Sequence, residues 1–539
     1  MTALARGLSQ PLVRGGALLA IGVLVALTTI VALNFVAPAK AIFAFGGLII
    51  ILPAFLVRDP RAYGLFVLVF CIPIEIYQHT TKWLSDPGIL FEKYGFPGTG
   101  TSGVDMYIAD FVLVILLVPW LAEICRRERR LYFPKIGYIF ILYLAWALLV
   151  SMLQAVSFYL SIFEWVREIL YFILFLYIVN NVVTPAQFRA VILALFAGLA
   201  IESMVVIGVF DLNVGAEVGD LQGILTGGGT KLTTAGTVPV SETGSWFRVK
   251  RSRGTFAHPG VTAYYIGYIL PIVLASWAAS RRRWDRIALG TIFLAGAIAL
   301  LLTFSRSGLM GVTFSMIVLF PLARWARLIS RQMFSWCILA AVMAVAVSTP
   351  LLVDFFATRP IAVTGRLELI AIAEETYLRH PILGAGLNNS SAVTEGSHET
   401  VSTQGGPAFR VLVVHNHYLI VLIEVGAIGF LLFFGFFGGT VMTALRSMRA
   451  AGTEMKLLLV GLVSAVLGIA VHNFGDPFGG HMCMAMLWLN AGLVFAICRR
   501  VQAEAVLPAR ITAEPAGRAL PAAAGWSQAR IIAPRPSTL

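Results

Sequence analysis

Continuous apolar runs of about 20 residues constrain this chain more than any other feature. Fourteen lie near 17–37, 41–57, 62–78, 106–125, 136–157, 166–183, 189–211, 259–280, 287–303, 307–323, 334–353, 416–444, 457–474 and 480–498. A helix of that length crosses the roughly 30 Å hydrocarbon layer of a bilayer. The runs are continuous rather than alternating, which excludes a membrane β-barrel. Hydrophobic types make up 58% of the 539 residues and charged types 12%, against about 25% charged in a soluble domain. A soluble fold could not hide that much apolar surface. The predicted fold class is therefore all-α, a polytopic helical membrane protein with about 14 transmembrane helices and long outer loops.

The net charge of +13 would suggest nucleic acid in a soluble protein. Here it reflects basic residues gathered in cytoplasmic loops, and no nucleic-acid partner is expected. With the N-terminus in the cytoplasm, all strong clusters fall inside: Arg58 with Arg61, Arg126 to Arg130, Arg281 to Arg283, Arg324 with Arg327 and Arg331, Arg446 with Arg449 and Lys456, and Arg499 with Arg500. The first run is followed by Ala37-Pro38-Ala39-Lys40-Ala41, which resembles a signal-peptidase site. Its length exceeds the 7–15 residues of a signal h-region, so it reads as an uncleaved span. Residues 79–105, 212–258 and 354–414 form long outer segments. The Ala-, Pro- and Arg-rich tail from about 501 reads as disordered and cytoplasmic. Cys71, Cys125, Cys337, Cys483 and Cys498 show no C-x-x-C spacing and are expected to have no disulfide or metal role.

Three features break the positive-inside pattern. Arg306 lies in Thr303-Phe304-Ser305-Arg306-Ser307-Gly308, between two apolar runs with almost no loop. An arginine at that depth is costly unless it binds something or lines a wet cavity; the plain structural alternative is snorkelling at a helix end. The run Arg248-Val249-Lys250-Arg251-Ser252-Arg253 puts four cations in six outer residues. Guanidinium forks suit phosphate, while a patch facing lipid headgroups is the alternative. His415-Asn416-His417 opens the twelfth run. His415 can move a proton near neutral pH, or serve only as an interfacial polar residue. His417 would stand about 200° round a helix from it. His472 and His481, on the last outer turn, read as interfacial. There is no D-x-D, H-x-x-x-H or H-E-x-x-H, and no Gly-rich motif follows a strand; neither a metal nor a nucleotide is implied.

These residues resemble the O-antigen ligase and O-antigen polymerase superfamily of bacterial envelope glycosyltransferases. Arg251 to Phe256 with His258-Pro259 resembles the R-x-x-G-T-F-x-x-P stretch of that family. Thr303 to Gly308 resembles its T-x-S-R-G segment, with Ser307 inserted before the glycine. Arg366-Leu367-Glu368 and His380-Pro381-Ile382-Leu383-Gly384-Ala385-Gly386 resemble its long outer loop and the signature ending it. His415-Asn416, Leu419, Glu424, Gly426 and Gly429 reproduce its H-N-x-x-L-x-x-x-x-E-x-G-x-x-G run.

The resemblance implies a multi-pass protein of the bacterial inner membrane with its site facing the periplasm. It implies transfer of a glycan from an undecaprenyl-pyrophosphate donor to a lipid A core or other glycan hydroxyl, with inversion and with no metal or cofactor. Arg251, Arg306 and His415 are the implied catalytic residues; Lys250, Arg253, Asn416 and Arg366 are the substrate-binding candidates. Glu424 reads as structural. The implied organisation is an N-terminal transmembrane region (1–250), a catalytic region (251–435), C-terminal helices (436–500) and the tail (501–539). Fourteen spans exceed the dozen usual for ligases, and Lys250 and Arg253 crowd Arg251. A polymerase or a protein-hydroxyl acceptor stays open. A lipid-linked glycan transporter is the alternative from another class, although no paired halves with broken helices are visible.

Overall fold

The computed structural model describes residues 57, 59–75, 77–79, 105–211, 235–238, 249–256, 258–335, 360–395, 414–476 and 480–513. It is an all-α bundle with two short hairpins. The elements, in chain order, are α1 (Pro60–Cys71), β1 (Tyr77–His79), β2 (Asp105–Tyr107), α2 (Ile108–Cys125), α3 (Gly137–Gln154), α4 (Phe158–Asn181), α5 (Pro185–Asp211), β3 (Ala235–Val238), β4 (Val249–Arg251), α6 (Pro259–Ala279), α7 (Arg283–Leu302), α8 (Arg306–Trp325), α9 (Pro360–Arg379), α10 (Ser390–Glu395), α11 (His417–Ser447), α12 (Thr453–His472) and α13 (His481–Ala513). Nine of the described helices are long and apolar enough to cross a membrane: the chain is a multi-pass membrane protein.

Several boundaries differ from the sequence reading. The run at 62–78 stops at Cys71, because Pro73 lacks an N–H and disfavours helical backbone before it. The run at 166–183 begins eight residues earlier, at Phe158. Glu164, Arg167 and Glu168 conceal that start from hydropathy, yet Arg167 and Glu168 are buried inside the bundle. The segment 354–414 contains α9, whose Leu-, Ala- and Glu-rich stretch favours helix. The last helix continues past 501 to Ala513. The runs at 17–37, 41–56 and 336–353, and residues 514–539, lie outside the described residues.

The core is layered by exposure. α13 is buried throughout its apolar window, while α7 and α2 show most of theirs; Val118, Leu121, Leu294 and Leu301 are exposed, as lipid-facing residues must be. Small residues allow close helix approach: a Cβ on Gly311 of α8 would meet the Gly468 carbonyl of α12 at 2.7 Å. Midway through the bundle, Trp488 is enclosed by Phe140 at 4.3 Å, Phe436 at 4.9 Å and Phe437 at 5.3 Å.

The helices alternate in direction, so their ends form two layers. One layer is basic. There Arg61 pairs with Glu123, Arg129 donates to Asn181 Oδ1 at 2.9 Å, and Arg499 lies over the Tyr132 ring at 5.0 Å. The other layer gathers the beginnings of α2, α4, α6, α8, α11 and α13, and holds the polar groups described next.

Candidate active site

Glu202 of α5 organises the Arg251–Phe256 stretch. Its carboxylate accepts from Thr255 N at 3.0 Å and from Thr255 Oγ1 at 2.7 Å. Gly254 sits between them with φ +59, and a Cβ there would lie 1.8 Å from Glu202 Oε1. That contact and that dihedral together require glycine. Ser252 N donates to the Leu302 carbonyl at 3.0 Å, which ties this turn to the end of α7. Thr262 Oγ1 donates to the Arg253 carbonyl, and His258 caps α6 by accepting from Gly260 N at 3.0 Å. Arg253 is half-buried. Lys250 and Arg251 are placed by their backbone in β4, paired with β3 through Ala235 and Arg251; their side chains lie outside the described ones.

Arg306 is the first residue of α8. The turn before it is built tightly. Thr303 Oγ1 donates to the Leu300 carbonyl at 2.7 Å, Phe304 takes the left-handed φ of +47, and Ser305 caps the helix by accepting from Gly308 N. The Arg306 guanidinium is thus carried by a helix N-terminus, whose dipole favours anions. Ser307, the residue inserted before the motif glycine, donates to Asp476 Oδ2. His472 Nε2 stands 3.6 Å from the same oxygen. Gly308 then allows α6 to approach: a Cβ there would meet Ala263 Cβ at 2.5 Å.

His415 is half-buried in a bend just before α11. Asn416 is the N-cap, its side chain accepting from Tyr418 N at 3.0 Å and Leu419 N at 3.2 Å. That capping occupies the carboxamide oxygen. His417, the first helical residue, is buried, and its N–H donates to the Asn473 carbonyl at 3.0 Å. His415 therefore faces a wetter environment than His417. Arg366 lies within α9, and its side chain is outside the described ones.

α11 is broken at Gly426, with φ +64 and ψ −175. The segment 380–390 fills the break. Ala385 N donates to the Ile423 carbonyl at 2.7 Å, Gly386 N to the Glu424 carbonyl at 2.9 Å, and Ala427 N to the Pro381 carbonyl at 2.9 Å. Trp146 Nε1 takes the Val425 carbonyl at 2.9 Å. Ser390 Oγ donates to Glu424 Oε1 at 2.7 Å. A broken helix at membrane depth needs such partners for its freed backbone groups. The loop signature and the E-x-G pair of the α11 motif are thus two halves of one interlock.

Sequence reasoning missed several residues here. Glu202, Asp110, Arg167 and Glu168 went unassigned, although each is an ionisable residue in or beside an apolar run, a signal that could have found them. His472 and His481, expected at the interface, are 1% and 3% exposed. Each is drawn inside by a carboxylate, Asp476 and Asp110 respectively. Among the described residues, no three His, Cys, Asp or Glu side chains stand as a metal-holding group.

A search of curated proteins gives no match. A family model described as O-Antigen ligase matches residues 290–434. The matched stretch runs from within α7 into α11 and includes Arg306, Arg366, the 380–386 signature, His415 and Glu424; Lys250, Arg251 and Arg253 precede it. By this match, the segment 290–434 belongs to the O-antigen ligase and polymerase superfamily.

Proposed function

We propose that the protein is an inner-membrane glycosyltransferase that moves a glycan from an undecaprenyl-pyrophosphate donor to a hydroxyl of the lipid A core, at the periplasmic face. The observation that carries this reading is a chain of contacts joining three basic and histidine-bearing motifs at one end of the bundle. Ser252 meets Leu302 beside Arg306, Ser307 meets Asp476, and Asn473 meets His417 beside His415. The opposite end carries the arginine clusters, which supports a cytoplasmic placement for it.

In this reading Arg306 holds the pyrophosphate, with Arg251 as its partner and Lys250, Arg253 and Arg366 as further cations. They stabilise the charge that grows on the leaving pyrophosphate as the anomeric bond breaks. His415 accepts the proton of the attacking hydroxyl, and attack from the face opposite the leaving group inverts the anomeric carbon. Asn416 fixes the turn from which His415 projects. Pyrophosphate leaves with its own charge, so the reaction asks for cations and a base rather than a metal.

The test is transfer by the purified protein in nanodiscs, with a defined undecaprenyl-pyrophosphate glycan and rough lipopolysaccharide as acceptor. A single addition to lipid A core supports the ligase reading. A ladder of lengthening lipid-linked glycan without lipopolysaccharide would instead assign it as a polymerase. Movement of intact donor across the bilayer with no new glycosidic bond would assign it as a transporter.

A further inference from the structure

The end of the bundle opposite Arg306 carries cations that the proposed reaction does not use. α8 runs from Arg306 to Trp325, a length of about 30 Å. α12 lies antiparallel along it: a Cβ on Gly311 would meet His472 Cβ at 3.1 Å, and one on Gly468 would meet Ser315 Cβ at 2.6 Å. That register brings the last turn of α8 to the first turn of α12. Arg449, in the turn between α11 and α12, lies over the Trp325 ring at 5.9 Å. Two segments far apart in sequence, 324–331 and 446–456, are thus neighbours. They carry Arg324, Arg327, Arg331, Arg446, Arg449 and Lys456, with Glu454 as their one acid.

Among the described residues, none of these six side chains donates a hydrogen bond or joins an ion pair. Arg327, Arg331, Arg446 and Arg449 are exposed. Helix dipoles account for Arg324 and Arg446, in the last turns of α8 and α11. They do not account for Lys456, in the first turn of α12, where the dipole favours anions. A general preference for cations on one side of a membrane would populate this layer, yet another corner of it is built differently. There Glu123 pairs with Arg61 and stands 3.7 Å from Arg129.

Trp325 is exposed beside the cations. Tryptophan collects at the headgroup level of a bilayer, the depth at which lipid phosphates lie. Pro321, Ile317, Phe314 and Met310 are also exposed. Each is three or four residues from the next, so they form one apolar stripe on α8, leading away from the cations into the hydrocarbon. A ligand that matches both halves has a phosphate and acyl chains. We infer that this corner binds an anionic phospholipid of the surrounding bilayer, with its phosphate among Arg327, Arg446 and Arg449 and its chains along α8. A zwitterionic lipid carries a cation of its own, which the cluster repels. A free phosphate makes no use of the stripe. The site lies at the end opposite Arg306, so it stands whether or not the protein transfers glycan.

The experiment is native mass spectrometry of the full protein released from detergent, titrated with cardiolipin, phosphatidylglycerol or phosphatidylcholine. Wild type should retain the two anionic lipids and bind phosphatidylcholine about tenfold or more weakly. The triple variant Arg327→Gln/Arg446→Gln/Arg449→Gln should lose about tenfold or more in affinity for the anionic lipids. Trp325→Leu should weaken them as well, by loss of the guanidinium's aromatic partner. The control Arg126→Gln/Arg127→Gln/Arg130→Gln removes the same charge from the α2–α3 turn and should leave affinity within about twofold, as expected of exposed charges away from the site. Inorganic phosphate at matched ionic strength should not displace the lipid. Should the first triple variant fail to purify as a monodisperse protein, Arg446→Gln/Arg449→Gln decides.

Equal losses in the two triple variants would overturn the site, since they would make this corner no different from any other basic loop. Retention of phosphatidylcholine as firm as that of cardiolipin would overturn it too. Displacement by inorganic phosphate would replace the lipid with a soluble anion and would equally contradict the inference.

Discussion

Glu202 shows how one buried acid can set the shape of a motif made of other residues. Its two oxygens hold the backbone and hydroxyl of Thr255, and the space it occupies leaves no room for a Cβ at position 254. Glu202→Ala would strand both Thr255 groups. The expected result is a loss of about 1–3 kcal/mol for each group left unsatisfied, seen as a lower melting temperature, together with weaker donor binding as the Arg251–Arg253 turn loosens. Glu202→Gln should keep part of both, because one carboxamide oxygen still accepts. Unchanged melting in Glu202→Ala would mean that the turn is held by its strand pairing alone. At this scale the sequence was informative where chemistry stood out against its surroundings. Arg306 and His415 stood out as candidates because each breaks the charge pattern of the sequence at the edge of an apolar run. Glu202 was not singled out, because its partner Thr255 lies 53 residues away; Arg167 bonds Tyr171 one turn on, and it is Tyr171 that reaches His481, 310 residues away. No local pattern records pairings of that span.

At the scale of elements, the interlock between segment 380–390 and the break in α11 makes the sharpest prediction. Gly426 has φ +64, and a Cβ there would lie 2.1 Å from the Ile382 carbonyl; Gly384 has φ +80 and faces the Glu424 carbonyl at 2.5 Å. Gly426→Ala must therefore shift backbone on both sides, and it should destabilise the protein by about 1–3 kcal/mol from the dihedral alone, with more from the clash. Gly435 and Gly438 on the same helix meet nothing within 4 Å; alanine there should be neutral or slightly stabilising, by up to about 1 kcal/mol. Thermal unfolding in detergent compares the three. Equal melting of Gly426→Ala and Gly435→Ala would show that α11 need not break. The two motifs were visible in the sequence as separate signatures. Their physical connection was not, since a hydrogen bond from a loop N–H to a helix carbonyl leaves no side-chain trace.

For the whole molecule, hydropathy gave the all-α bundle and most of its described spans, because lipid requires apolar stretches of fixed length. It erred where charge is buried within the bundle, as along α4. The placement of the two end layers predicts topology. Single cysteines near 128, 283 and 450 should resist a membrane-impermeant thiol reagent in intact cells, whereas one near 395, beside α10, should react. Labelling at 283 from outside would put Arg306 and His415 in the cytoplasm and remove the periplasmic site. A pyrophosphate leaving group and the lack of D-x-D predict that transfer by the purified protein survives a strong chelator. Loss of activity restored by magnesium or manganese would contradict that.

In the proposed function, one site divides its work between a cation that holds the donor and a histidine that activates the acceptor. Measuring donor binding and transfer side by side, on variants that purify like wild type, tests it most directly. Arg306→Ala should lose donor binding and reduce transfer by about 10²–10³, with Arg306→Lys recovering only part, because a point charge replaces a two-pronged fork. His415→Ala should bind donor normally and lose transfer by about 10²–10⁴. Near-normal transfer by a well-folded His415→Ala protein would contradict the account and leave the arginines as a binding site without a base.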